Sequence, residues 1–335
     1  MHNTIPANGN RNYVLVGSGA ALQAAIPSDA LLIITSVEGA HVFCEGHDVT
    51  LDENWKNLAA NVKQVKEWEH PPFFITINHH FYNSLASHAQ SLFDIVAKLL
   101  DQTDKMEKPI TPDGKFISPR GYQLIDLLYD RSNGRRILVD IKHMAKDTRK
   151  EFYAYHKSKY PDVPIICSHT GVTKYYGQLI NMDDDDLKEI YDSNGIIGIE
   201  LDQRILGYNE AGNRFFSWVR NIFRSSKKSD YVWAEFFWKN ILHIAEQCYG
   251  YNPLESPWRM ICLGSDLDGV INPLNKFRTA ADFQNLANAL LQYVQEYWDS
   301  NKSVIPKNHL KMDAHDVVYQ IMYANALNFI IKNYK

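Results

Sequence analysis

No run of apolar residues in this chain reaches the roughly 18 that a membrane-spanning helix needs, which sets helical membrane proteins aside. No lysine–arginine block stands out, and 35 basic residues are outnumbered by 39 acidic ones for a net charge of −4. Both features argue against a general nucleic-acid binder. Cysteine is scarce, and Cys44, Cys167, Cys248 and Cys262 have neither disulfide nor metal spacing. They read as small reduced packing residues. There is no internal repeat, and the one biased tract is Asp183-Asp184-Asp185-Asp186. It precedes Leu187, Ile190 and Tyr191 and reads as the acidic first turn of a helix rather than a metal site. The stretch Met1-His2-Asn3-Thr4-Ile5-Pro6 has neither a basic region nor an apolar segment. The sequence as given therefore implies a cytoplasmic protein, or an exported one if an upstream segment carries the signal.

What the chain does have is a rhythm. Its 335 residues, 45% hydrophobic and 22% charged, suffice for a full core. Six short apolar runs read as buried strands: Ala30–Val37, Phe73–Asn78, Ile137–Ile141, Pro164–Ser168, Ile196–Leu201 and Met260–Ser265. They are continuous rather than alternating, as parallel strands covered on both faces should be. Helical patterns separate them, at Ser84–Leu100, Ala234–Tyr249 and Ala280–Trp298, with a closing one at Ala314–Tyr334. Strand alternating with helix means α/β with right-handed crossovers. A barrel needs eight strands. Tyr13–Val16, followed by a helical pattern at Ala20–Ile26, is a candidate seventh. The stretch Asp202–Trp258 is rich in aromatics and too long for a turn, so it reads as a partly helical excursion over the strand ends.

The reactive side chains fall at the ends of these strands: Glu38, His79 and His80, His143, His169, Glu200 with Asp202, and Asp266 with Asp268. Ligands gathered at the C-terminal ends of parallel strands are how such a fold builds a hydrolytic metal site. Two histidines and a carboxylate make a complete protein ligand set for zinc, with a position left for water. A second carboxylate near that water serves as general base. The residues taken together as one site are Glu38, His143, His169 and Asp266. Others read more plainly. His80 should alternate away from His79 on an extended chain, so one of the two is structural. Asp140, inside an apolar strand, reads as a supporting or backbone-bonding residue. His88, His156 and His243 fall on helical patterns and read as surface or packing residues.

These motifs, in this order from about residue 12 to residue 333, resemble the membrane (renal) dipeptidase family of zinc peptidases, among the amidohydrolase-like barrels. Ser36-Val37-Glu38-Gly39-Ala40-His41 resembles the segment whose glutamate bridges two zinc ions, which implies Glu38. Leu138-Val139-Asp140-Ile141-Lys142-His143 and Ile166-Cys167-Ser168-His169 resemble the strands whose histidines bind the second zinc. Gly264-Ser265-Asp266-Leu267-Asp268-Gly269 is similar to the final-strand motif, which makes Asp266 a ligand of the first zinc and the proton carrier. Thr76-Ile77-Asn78-His79 resembles the strand whose histidine contacts the scissile group, which gives His79 a catalytic and substrate-binding role. Asn181 matches a substrate-binding asparagine, and Ala324-Asn325-Ala326-Leu327 fits the tail.

The resemblance implies a TIM-type (β/α)8 metallo-dependent hydrolase barrel lacking its first one or two strands. The expected layout is one domain over 1–335, with a poorly ordered lead at 1–12 and the excursion at 203–258. Two departures qualify it. The family's first strand ends in His-x-Asp and supplies two ligands of the first zinc, and nothing equivalent precedes Glu38. One zinc site would therefore be complete here, against two in intact members. Ile180 also stands where the family places an arginine that grips the substrate carboxylate. The expected activity is hydrolysis of a dipeptide or related small amide, with zinc as cofactor, a small-molecule substrate as partner, and a homodimer among the compatible assemblies. The alternatives are a catalytically impaired relative that only binds, or a barrel hydrolase of a lactone, cyclic amide or phosphoester.

Overall fold

The computed structural model describes residues 12–44, 48–80, 82–91, 106–132, 134–208 and 229–335. The chain forms two compact units, one of residues 1–166 with 327–335 and one of residues 167–326, so the dividing point lies within a strand.

In the first unit, β1 (Tyr13–Leu15) pairs in parallel with β2 (Leu31–Ile33) across α1 (Gly19–Ala25). This is the candidate seventh strand and its helix, but the pair forms a small sheet of its own. The run expected as one buried strand, Ala30–Val37, is in fact two. Residues 34–36 are not strand, and β3 (Val37–Glu38) joins another sheet. Leu31 is half exposed, which a strand covered on both faces would not allow. After α2 (Asp52–Lys66) come β4 (Phe74–Thr76), α3 (Pro119–Tyr129) and β5 (Leu138–Asp140). Strands β3, β4 and β5 lie side by side in parallel, with Glu38 opposite Thr76 and Thr76 opposite Asp140. Every residue of β5 is buried, as its apolar composition requires.

Local chemistry fixes the elements. Ser118 caps α3 by accepting from Gly121 N–H at 3.1 Å, with Pro119 in the first turn. The buried ammonium of Lys66 donates to Leu127 O and Asp130 O, both at 2.5 Å, and so ties the end of α2 to the carbonyl end of α3. Tyr334 O accepts from Gly19 N–H at 2.6 Å, and the tyrosine hydroxyl donates to Pro71 O.

The expected helix at Ser84–Leu100 is not formed where it is described. Residues 86 and 88 instead make isolated antiparallel bridges with Ile117 and Met144, and 92–100 lie outside the described residues. Tertiary pairing overrides the helical spacing there.

The second unit continues the alternation from β6 (Ile166–Thr170), which follows α4 (Lys146–Lys159). It contains α5 (Asp184–Asp192), β7 (Ile196–Ile199), α6 (Ser229–Trp233), α7 (Glu235–Tyr251), β8 (Ile261–Leu263) and α8 (Phe283–Asp299). Strand order is β6-β7-β8. The acidic tract is a helix start as expected: Asp183 and Asp186 form a reciprocal capping box. The excursion is partly helical, and its Tyr231, Phe236, Phe237 and Trp238 are core residues. Phe215, Phe216 and Trp218 lie outside the described residues. The closing segment is helical as α9 (Ala314–Tyr319) and α10 (Asn325–Asn333), joined by a wider turn at Gln320–Ala324. Among the described residues no helix is long and apolar enough to cross a membrane.

Candidate metal centre

Two side chains reach the first unit's site from loops that leave strands at the same offset. His79 stands three residues beyond Thr76, and His143 three beyond Asp140, and those two strand ends are in register. Glu38 is itself the last residue of β3. The turn that delivers His143 is organised by Asp140, which is fully buried. Its carboxylate accepts from Thr76 Oγ1 at 2.8 Å and from Lys142 N–H at 3.1 Å. That is the backbone-bonding role its apolar setting suggests. His143 then sits at φ +66°, a left-handed conformation that a histidine holds only when its surroundings enforce it.

His143 Nε2 lies 2.9 Å from Glu38 Oε1, and His79 Nε2 lies 3.8 Å from Glu38 Oε2. An ionised carboxylate only accepts, so His143 donates through Nε2–H in this arrangement. One ligand atom from each of Glu38, His79 and His143 lies within 4.8 Å of the others. Burial drives His143 well below the ordinary histidine range, with the Lys142 charge next. Burial also lowers His79, against the Glu38 charge that raises it. Both rings are therefore neutral near pH 7 and offer lone pairs. Two neutral imidazoles and one carboxylate are the donor set of a three-ligand catalytic zinc site. The residues present fit a divalent ion of borderline softness.

The family resemblance implies contact of His79 with the scissile group and makes His169 and Asp266 ligands. The geometry groups His79 with Glu38 and His143. The pair His169 and Asp266 comes together in the second unit, Nε2 to Oδ2 at 4.0 Å. His169 Nδ1 pairs with Ser168 Oγ at 2.8 Å. Asp266, three residues past the end of β8, is also left-handed at φ +51°. The backbone closes in beside His169: a Cβ on Gly198 or Gly264 would come within 2.0 or 2.1 Å of Ser168 O.

Asn181 is fully buried, and its amide N–H groups go to Ile205 O at 2.8 Å and Tyr176 O at 3.3 Å. Its neighbour Ile180 is buried as well. Asp202 is equally buried and gathers backbone N–H groups of two loops. Glu200 is buried and Asp268 exposed.

Three further histidines stand near this group. His80 does not alternate away from His79, because the chain past Thr76 is no longer extended. Their rings are 3.7 Å apart, and His80 is 5.2 Å from His143. Its Nδ1 pairs with Ser91 Oγ at 2.5 Å, and burial, then the His79 charge, lowers it to about 4. His41 lies parallel to His79 at 6.4 Å. His88 is on no helix; it is buried within a bridged segment. A concentration of histidine between residues 79 and 88 was the available signal.

A model of the membrane dipeptidase family (peptidase family M19) matches residues 75–315. No curated protein matches the chain. Among solved structures, an amidohydrolase from Pseudomonas aeruginosa is 15% identical, with a TM-score of 0.57 over 96% of this chain and 78% of that one. A metallo peptidase from Rhodobacter sphaeroides, liganded with a phosphinate mimic of the dipeptide L-Ala-D-Ala, is 12% identical with a TM-score of 0.58, over 96% and 69%. The probable dipeptidase PvdM from Pseudomonas aeruginosa is 14% identical with a TM-score of 0.56, over 97% and 75%. At such identities the likeness shows the fold, the TIM-type α/β class that the family resemblance implies.

Proposed function

The chain belongs to the membrane dipeptidase family, a family of metal-dependent hydrolases, and from that premise we propose that it cleaves a dipeptide or a related small amide with zinc as its cofactor. The observation that carries the reading is the mutual approach of Glu38, His79 and His143 within 4.8 Å. A dipeptide mimic bound to a metallo peptidase of the same fold supports the substrate class.

Zinc held there would supply a Lewis acid and lower the pKa of a bound water toward about 7. The protein's own contributions follow from its side chains. Glu38 brings the negative charge that a dication requires, and it stands open enough to serve, with 38% of its side chain exposed. His79 and His143 stay neutral because they are buried, so neither ring has to give up a net proton, and His143 has only to shift its proton from Nε2 to Nδ1 before an ion binds. By the family's motif order His169 takes the role of a nitrogen ligand, and Asp266 that of a ligand and of the proton carrier for the departing amine. The family motif order supports that assignment, as does the pairing of these two residues with each other. A second reading, binding without turnover, is favoured by the burial of Ile180 and by the engagement of the Asn181 amide with the backbone.

The test is metal content and dipeptide hydrolysis in the wild type, His143→Ala and His169→Ala. Each substitution is expected to lower zinc content and abolish turnover. Zinc content unchanged in both variants would overturn the site. Zinc bound through these residues without hydrolysis of any small amide would select the second reading.

A further inference from the structure

His88 is 1% exposed, and neither of its ring nitrogens meets a hydrogen-bond partner among the described residues. A buried polar group in that state loses its hydration and gains nothing for it, so its presence calls for a reason beyond packing. The backbone holds it in a definite place. His88 and Met144 form an antiparallel bridge; Ala89 N–H donates to His143 O at 2.8 Å, and Ala145 N–H donates to Ser87 O at 3.1 Å. His88 is thus fixed against the turn that delivers His143, near enough for its charge to bear on both His143 and His80. Two more buried polar atoms of this region also have no partner, Ser87 Oγ on the adjacent residue and Asn78 Oδ1. The amide of Asn78 is anchored to Ala86 O at 2.8 Å, which sets it beside the same segment.

We propose that His88 is a positioning residue of the candidate metal centre, which braces the turn that carries His143 and so holds that ring with Nε2 toward the ion. Residues that surround an imidazole ligand fix its orientation, and losing such support weakens metal binding. The inference rests on the reading of Glu38, His79 and His143 as the ion-binding group, and its test separates the two.

Cobalt(II) titration, read by absorption, is carried out on the wild type, His143→Ala, His88→Leu and His88→Gln. His143→Ala is expected to lose the cobalt signal. His88→Leu is expected to bind roughly 10- to 100-fold more weakly with shifted bands, and His88→Gln, which restores a donor and an acceptor, to recover part of both. The thermal midpoint of ion-free His88→Leu should not fall, since that substitution removes an unpartnered polar group. Should His88→Leu not fold, His88→Met takes its place, being adaptable and without a ring nitrogen. Cobalt affinity within about two-fold of wild type and unchanged bands in the apolar variant would overturn the inference alone. The same follows if the glutamine variant recovers nothing. No cobalt binding by the wild type, or equal binding by His143→Ala, would overturn the site itself and the inference with it.

Discussion

Glu38 Oε1 and His143 Nε2 stand 2.9 Å apart although 105 residues separate them in the chain. The contact exists because β3, β4 and β5 run parallel in register, so that side chains leaving their ends converge. The two partners differ sharply in exposure, 38% for the glutamate side chain and 4% for the histidine. A half-open pair of this kind adds little to stability, roughly 0–1 kcal/mol, so its value lies in holding charge where an ion is to sit. Glu38→Gln keeps the shape and the acceptor oxygen but removes the charge. We expect zinc affinity, measured by calorimetric titration, to fall at least about ten-fold, or 1.4 kcal/mol. Unfolding free energy of the ion-free protein should change by less than about 1 kcal/mol. Undiminished zinc affinity would show that this carboxylate is not part of the site.

Acid should destabilise the ion-free protein through its buried imidazoles. Burial lowers His88 from 6.5 to about 4, and His80 likewise, with the neighbouring His79 adding to the effect there. Above pH 6.5 both the native and the unfolded rings are neutral, and stability is unaffected. Between 6.5 and about 4 the unfolded chain takes up protons that the native rings refuse, so stability falls as pH falls. Below about 4 the native ring protonates too and the loss levels off. For the fully buried His88 the whole span amounts to about 3 kcal/mol. Urea unfolding at pH 7, 5.5 and 4.5 should therefore show a shallower pH slope for His88→Leu than for the wild type. Equal slopes would remove His88 as a source of the acid sensitivity.

The strand ends were readable because parallel buried strands leave short apolar runs, and Leu138-Val139-Asp140 is fully buried as its composition requires. Asp183 was readable because a capping box is a local signal. The split of Ala30–Val37 was not, because hydrophobicity cannot say which sheet a residue joins: Leu31 pairs with Tyr13, Val37 with Ile75. His80 was misjudged by strict alternation, a rule that ends where the strand does, at Thr76. His88 was misjudged because a helical spacing of apolar residues lost to pairing with the turn after β5. The functional grouping suffered most at such junctions, where loop geometry rather than period decides which nitrogen faces which oxygen.

Asp202 illustrates a carboxylate whose work is structural. It is fully buried and accepts from Arg204 N–H at 2.8 Å, Ile205 N–H at 3.4 Å, Ile271 N–H at 3.2 Å and Asn272 N–H at 3.1 Å. It therefore joins the loop after β7 to the loop after β8. Asp202→Ala would leave these donors buried and unmatched, and unfolding free energy should fall by about 3 kcal/mol or more in denaturant titration. Asp202→Asn, which keeps one acceptor oxygen, should lose roughly half as much. A loss below about 1 kcal/mol for the alanine variant would mean that water or neighbouring groups replace the carboxylate.

Gly39 ties backbone conformation to the site. It follows Glu38 at φ +97°, a value open to glycine and strained for other residues. A Cβ there would meet the His41 ring at 2.4 Å and His79 Cβ at 3.1 Å. Gly39→Ala thus carries two separable penalties. The backbone strain, about 1–3 kcal/mol, should appear as lost stability whatever stands at residue 41. The clash should displace His41 and, through it, the parallel ring of His79, and so weaken zinc binding beyond what lost stability explains. In Gly39→Ala with His41→Ala the added methyl has room, so zinc affinity should recover in part while the stability loss persists. If the double variant binds zinc no better than Gly39→Ala alone, the effect runs through the backbone and Glu38 rather than through the packed rings.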